Sequence, residues 1–211
     1  MSETGKRLWR RWVIAFTAGE LIGFGCMPVL GAAAAMFLTQ TLDASARAIV
    51  LYLVAVTSGL GEGAVLAWFQ LRVLKPYLPA LDAGRWLRAT ATAAACAWAC
   101  GMLAPTLDDL CGLSAAAQIA IWVPAGIAIL LSVGIAQTWA LRGVVEGHRR
   151  WIGANALGWL AGLPWTFVLP ALLPENAPAA TWIASFVIAG TLMGFTAGAV
   201  TGGFLVRLRP L

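Results

Sequence analysis

Residues 48–74 read AIVLYLVAVTSGLGEGAVLAWFQLRVL, with Glu62 and Arg72 as the only charged side chains. A helix that crosses a hydrocarbon core about 30 Å thick needs about 20 mostly apolar residues. This run has them, and it is too long and too uniformly apolar for a strand of a membrane barrel. Five more runs of the same kind follow the chain at 12–38, 86–104, 115–141, 151–173 and 179–206. The breaks between them are polar: Asp43 and Arg47; Pro76, Pro79 and Asp82; Asp108 and Asp109; the charged 142–150 segment; and Glu175 with Asn176. The pattern predicts an all-α integral membrane protein with six transmembrane helices.

Composition agrees with that reading. Of the 211 residues, 61% are hydrophobic and 11% charged, and the mean hydropathy is +0.84. A soluble domain carries about 25% charged residues. A water-soluble enzyme, a disordered chain and a disulfide-framed secreted module are therefore excluded. Thirteen of the 14 Lys and Arg residues fall on one side of the six-span topology: Lys6, Arg7, Arg10 and Arg11 before the first helix; Arg72, Lys75, Arg85 and Arg88; Arg142, Arg149 and Arg150; and Arg207 and Arg209 after the last. Arg47 alone lies opposite. Basic loops stay in the cytoplasm, so both termini are expected there, in the cell's inner (cytoplasmic) membrane. The net charge of +5 then reflects these flanks and nearby anionic lipid rather than nucleic acid. The first run has features of an export signal, namely Arg10-Arg11, an apolar stretch and a small-residue tract at 32–35. Glu20 interrupts it, and its likeness to a later helix favours a retained span.

That likeness belongs to an internal repeat. Arg10-Arg11-Trp12 recurs as Arg149-Arg150-Trp151, and Arg85-Trp86 holds the same place before the third helix. In the first register Ala15, Gly19, Leu21 and Gly23 match Ala154, Gly158, Leu160 and Gly162. Gly59, Gly63, Ala64, Val65, Phe69 and Arg72 match Gly194, Gly198, Ala199, Val200, Phe204 and Arg207. Gly59, Gln70, Leu74 and Lys75 match Gly126, Gln137, Leu141 and Arg142. The unit is a helical hairpin occurring three times, at about 9–75, 82–142 and 148–209, within one transmembrane domain spanning 1–211. Each copy starts on the same side, so the repeats are parallel. Membrane interfaces favour Trp and Arg in any case, and shared Gly and Ala content yields some matches by itself. The Arg-Trp starts and the Gln-x-x-x-Leu-Lys/Arg ends at 70–75 and 137–142 resemble uncharacterised bacterial six-helix membrane proteins built from such hairpins. The third copy departs from the pattern, with Leu205 at the Gln position. The resemblance implies a fold and no activity.

Helices in lipid gain little from hydrophobicity when they associate, so close backbone approach has to hold them. Gly194, Gly198 and Gly202 form a ladder on one face of the last helix, and Gly19 with Gly23, Gly59 with Gly63 and Gly158 with Gly162 repeat the spacing. These are candidate packing positions, within the chain or against another subunit. Pro28, Pro124 and Pro164 are expected to bend their spans.

Glu20 and Glu62 are the candidate ion- or proton-binding residues. Glu20 is eight residues inside Trp12, about 12 Å along the axis, and Glu62 is ten before Arg72, about 15 Å. Both approach mid-membrane on neighbouring antiparallel helices, with no Lys or Arg at that depth. An ionised carboxylate there costs about 2.5 kcal/mol or more. Each must be protonated, hydrated or paired with a cation, unless it is a structural group bonded to a neighbouring carbonyl. The repeat counterparts are apolar (Trp159; Ile129 and Ala197), which favours one asymmetric pocket over a threefold ion site.

Other constellations are weaker. Cys96 and Cys100 lie one turn apart and with Met102 or Met193 would suit a soft metal, but small apolar packing is the commoner use. Cys26 and Cys111 are isolated. His148 is the sole histidine, which leaves no His cluster and no nucleophile motif. No phosphate-binding Gly-Lys-Ser/Thr loop is present. Neither metal nor cofactor nor catalysis is expected. Trp9, Trp12, Trp86 and Trp151 are expected in an interfacial belt, Trp98, Trp159 and Trp165 deeper, and Gln137 and Asn155 in bonds between helices. These features favour a small transporter or a membrane-embedded binding subunit, proton- or cation-coupled, over a non-catalytic accessory subunit docked on a partner membrane protein.

Overall fold

The computed structural model describes residues 2–174 and 176–211; Glu175 and the side chains of Met27, Pro28, Val29 and Ala32 lie outside the described residues, and with them the expected bend at Pro28. Among the described residues seven helices follow one another: α1 Glu3–Leu38, α2 Ala44–Tyr77, α3 Ala83–Cys111, α4 Ala115–Leu141, α5 Arg150–Gly162, α6 Pro164–Ala171 and α7 Ala179–Leu205. Five segments among the described residues are long and apolar enough to cross a membrane: α2, α3, α4, the α5–α6 pair and α7.

The helix ends follow local chemistry. Ser2, Asp43, Asp82 and Ser114 each accept a backbone N–H of the first turn, satisfying donors that a helix start leaves free. The helices overrun the apolar runs, because Asp43 starts α2 ahead of Arg47 and α3 continues through Pro105 until Gly112, whose φ of 63° suits glycine. At Asp82 the Arg85 N–H holds the carboxyl below the usual range. Pro164 breaks the last hairpin: α5 stops at Gly162, and α6 restarts with proline in its first turn, where no N–H is required. At Pro164 the helix breaks at a single residue, Leu163, which keeps helical φ and ψ, whereas Pro124 stays inside continuous α4.

The helices close into a ring. α1 packs on α2 and α7, α3 on α2 and α4, and α5 on α4 and α7, while α6 leans on α7. The two chain ends, the α2–α3 turn and the α4–α5 turn gather at one end. There Val145–Glu146 (β1) pairs antiparallel with Arg209–Pro210 (β2), and the Tyr77 hydroxyl donates to the Leu208 carbonyl at 3.0 Å. This short ladder has no forerunner in the hydropathy pattern.

Inside that end the odd helices meet through tryptophan. Trp12, Trp86 and Trp151 are essentially fully buried, with Trp151 in ring contact with Trp12 at 5.8 Å and with Trp86 at 6.4 Å. An interfacial belt is therefore not where these three sit. Their indole N–H groups find acceptors on the preceding helix of the ring: Trp86 on Gln70 at 3.0 Å, Trp151 on Gln137 at 2.8 Å, and Trp12 on Thr201 at 2.9 Å. The Gln137 amide in turn donates to Gln70 at 3.1 Å and Thr90 at 2.9 Å. A buried donor needs a partner more than it needs the headgroup region. Asn155 donates instead to the carbonyl of Trp151 on its own helix.

Gln137→Leu removes three of these bonds at once. Interhelical hydrogen bonds in membranes average about 0.6 kcal/mol each, so a loss of about 2 kcal/mol is expected, read as a lower unfolding midpoint in detergent. An unchanged midpoint would mean that the polar cluster contributes nothing to stability.

Candidate functional site

Two helical turns inside this cluster, α1 crosses between α2 and α7. Glycine sets the approach on both sides. A Cβ at Gly19 would lie 3.1 Å from the Leu66 Cα, and one at Gly23 would lie 3.1 Å from both the Cγ and the carbonyl oxygen of Glu62. From α7, a Cβ at Gly194 would lie 2.7 Å from the Cβ of Glu20, and one at Gly198 2.9 Å from that of Phe16; Gly202 faces Trp12 and Trp9. Gly158 and Gly162 of α5 lie against Ala197, Thr201 and Met193 of α7. On the other flank Gly59 lies against Trp98, and Gly63 against Ala91 and Ala94 of α3. All nine candidate packing glycines thus face neighbours within the chain.

The two candidate acids share this interior. Glu20 is 0% exposed and Glu62 7%, and α1 meets α2 at Glu62 through Gly23, three residues after Glu20. Their surroundings differ. Glu62 accepts a 2.7 Å hydrogen bond from the Trp98 indole N–H, across the α2–α3 contact. Both carboxyl oxygens of Glu20 are buried without a protein hydrogen-bond partner. The alternative of a structural carboxyl bonded to a neighbouring carbonyl therefore does not describe Glu20. The sole ion pair among the described residues, Lys6–Glu3, lies far off at the exposed start of α1.

Aromatic rings flank the pair. Phe16, one turn before Glu20, meets Trp159 at 5.9 Å, and Phe24, one turn after, meets Trp98 at 6.2 Å. The Trp159 N–H is likewise buried without a partner. Trp165 is more exposed and donates to Thr196 at 3.2 Å. Trp98 thus belongs to the acidic site through its bond to Glu62, and Trp159 packs on Phe16, one turn from Glu20. The Trp98–Glu62 bond joins residues 36 apart in sequence and depends on how α2 and α3 are rotated, which no local pattern encodes. Its one legible sign was an indole at a depth similar to the acid.

The site has two carboxyl groups, one oriented by an indole and one with both oxygens free, in an apolar enclosure without a compensating cation. An ionised carboxylate is costly in such surroundings unless it is neutralised. Elsewhere, Cys96 is exposed and Cys100 partly so, and no group of three His, Cys, Asp or Glu side chains converges among the described residues. The chain matches no protein-family model, no curated protein and no solved structure.

Proposed function

We propose that this chain is a small transporter, or a membrane-embedded substrate-binding subunit, that binds a proton or monovalent cation at Glu20 and Glu62 and couples it to the movement of a solute. In this reading α1 is a sixth span, both termini are cytoplasmic in an inner membrane, and the three hairpins descend from one. The observation that carries the proposal is the fully buried Glu20 carboxyl with neither oxygen partnered, beside a second buried acid. A side chain so costly in lipid is retained where it acts on an ion or substrate pathway. The recurrence of a buried tryptophan bonded to the preceding helix at three places in the ring supports the hairpin repeat.

The test is exchange in proteoliposomes with an internal pH dye, driven by added sodium or potassium. Glu62→Gln keeps an acceptor for Trp98 but removes the charge, and exchange is expected to fall at least tenfold. Wild-type rates in that variant across the pH range would end the proposal.

A second reading, a non-catalytic accessory subunit, rests on α6. This helix has no buried residue; Phe167 within it and Leu172 just after it are 68% and 73% exposed. Purification from native membrane separates the two readings: a stoichiometric partner favours the accessory subunit, and a lone chain the transporter.

A further inference from the structure

Independently of the acidic pair, we propose that the start of α1 is a binding site for the headgroup of an anionic phospholipid. Two grooves flank this segment, of about 400 Å³ and 330 Å³. Arg7 and Arg11 line both, and Arg10 lines the first. Arg7 and Arg11 are one helical turn apart and share a face. They present two guanidinium forks, the geometry that holds phosphate oxygens bidentately.

These arginines are uncommitted. The only carboxylate lining either groove is that of Glu3, which pairs with Lys6 at 2.7 Å. No other ion pair exists among the described residues, so Arg7, Arg10 and Arg11 have no carboxylate partner. The walls change character along the helix. The first groove ends at Ile14, which is exposed, and the second is backed by Val73 and Tyr77 at the end of α2. Positive charge followed by exposed apolar surface fits an amphiphile, with a phosphate at the arginines and acyl chains along the lipid-facing side of α1. A small inorganic anion would leave the apolar wall unused. Basic clusters beside a span attract anionic lipid in general; here two grooves converge on the same two side chains, which makes the site local.

Native mass spectrometry of the full chain in detergent tests this, with phosphatidylglycerol, phosphatidylcholine and inorganic phosphate as probes. The wild type is expected to retain phosphatidylglycerol in preference to phosphatidylcholine. Arg7→Gln/Arg11→Gln should weaken that binding at least tenfold, while Arg149→Gln/Arg150→Gln, an equal charge change at the same end of the bundle, should leave it within twofold. All four side chains are exposed, and a thermal melt of each lipid-free variant verifies the fold. Equal losses in both double variants would mean diffuse surface charge and overturn the site. So would an unaffected Arg7/Arg11 variant, or displacement of the lipid by an equal concentration of inorganic phosphate.

Discussion

Glu20→Met is expected to make the protein more stable and functionally inert. A buried carboxyl without a hydrogen bond is a cost to the folded bundle, and intramembrane placement of such a group is put at about 2.5 kcal/mol. Methionine reproduces the Cβ and Cγ that lie against Gly194 and fills the remaining space flexibly. A gain of about 2 kcal/mol is expected, seen as a higher unfolding midpoint, together with at least a tenfold loss of cation-driven proton exchange. The two readouts are informative together, because a structural residue loses stability when it is replaced and a functional one in a strained site gains it. Glu62→Met should behave differently. It leaves the Trp98 N–H without its acceptor, so its stability gain should be smaller or absent. If Glu20→Met unfolds the protein while Glu62→Met does not, Glu20 is a packing element and the site assignment fails.

The second large effect is expected at Gly63. A Cβ there would lie 2.7 Å from the Ala94 Cβ, 2.8 Å from the Ala91 Cα and 2.8 Å from the Thr90 carbonyl oxygen. Backbone cannot step aside as a flexible side chain can, so Gly63→Leu has to push α2 away from α3. Overpacking costs about 1–3 kcal/mol and sometimes more, and the upper end is expected because α3 also carries the Trp98 that orients Glu62. Gly126 provides the control. Nothing lies within 4 Å of a Cβ built on it, and Gly126→Ala in α4 should be neutral or gain up to about 1 kcal/mol from its helical backbone. Equal destabilisation of the two variants in a denaturation series would show that close approach at Gly63 does not hold α2 on α3.

The helical architecture was legible because span length is set by the bilayer and helix starts by capping side chains. Each apolar run became a helix except the fifth, which Pro164 divides in two, and the other differences lie at the ends, where Asp43 and Gly112 moved boundaries that hydropathy alone does not mark. The acids were legible as anomalies, since a charge inside an apolar run needs a reason. What surrounds them was not. Trp12, Trp86 and Trp151 look like interfacial anchors in sequence, and the structure buries them because Gln70, Gln137 and Thr201 accept their N–H groups. The clue lay in the matching positions of Gln70 and Gln137, each followed by an Arg-Trp start on the next helix. Pairing across helices, such as Trp98 with Glu62, depends on rotation about the helix axis, and the nearly uniform apolarity of these spans leaves that rotation weakly specified in sequence.

Whether Glu20 exchanges a proton or cation within the bundle is read by infrared difference spectroscopy of the reconstituted protein across a pH series, which requires no known solute. A protonated-carboxyl stretch that titrates in the wild type, vanishes in Glu20→Gln and persists in Trp98→Phe, whose N–H serves Glu62, is the expected result. A carboxyl signal identical in the wild type and Glu20→Gln would contradict the claim and leave a helical scaffold without an ion site.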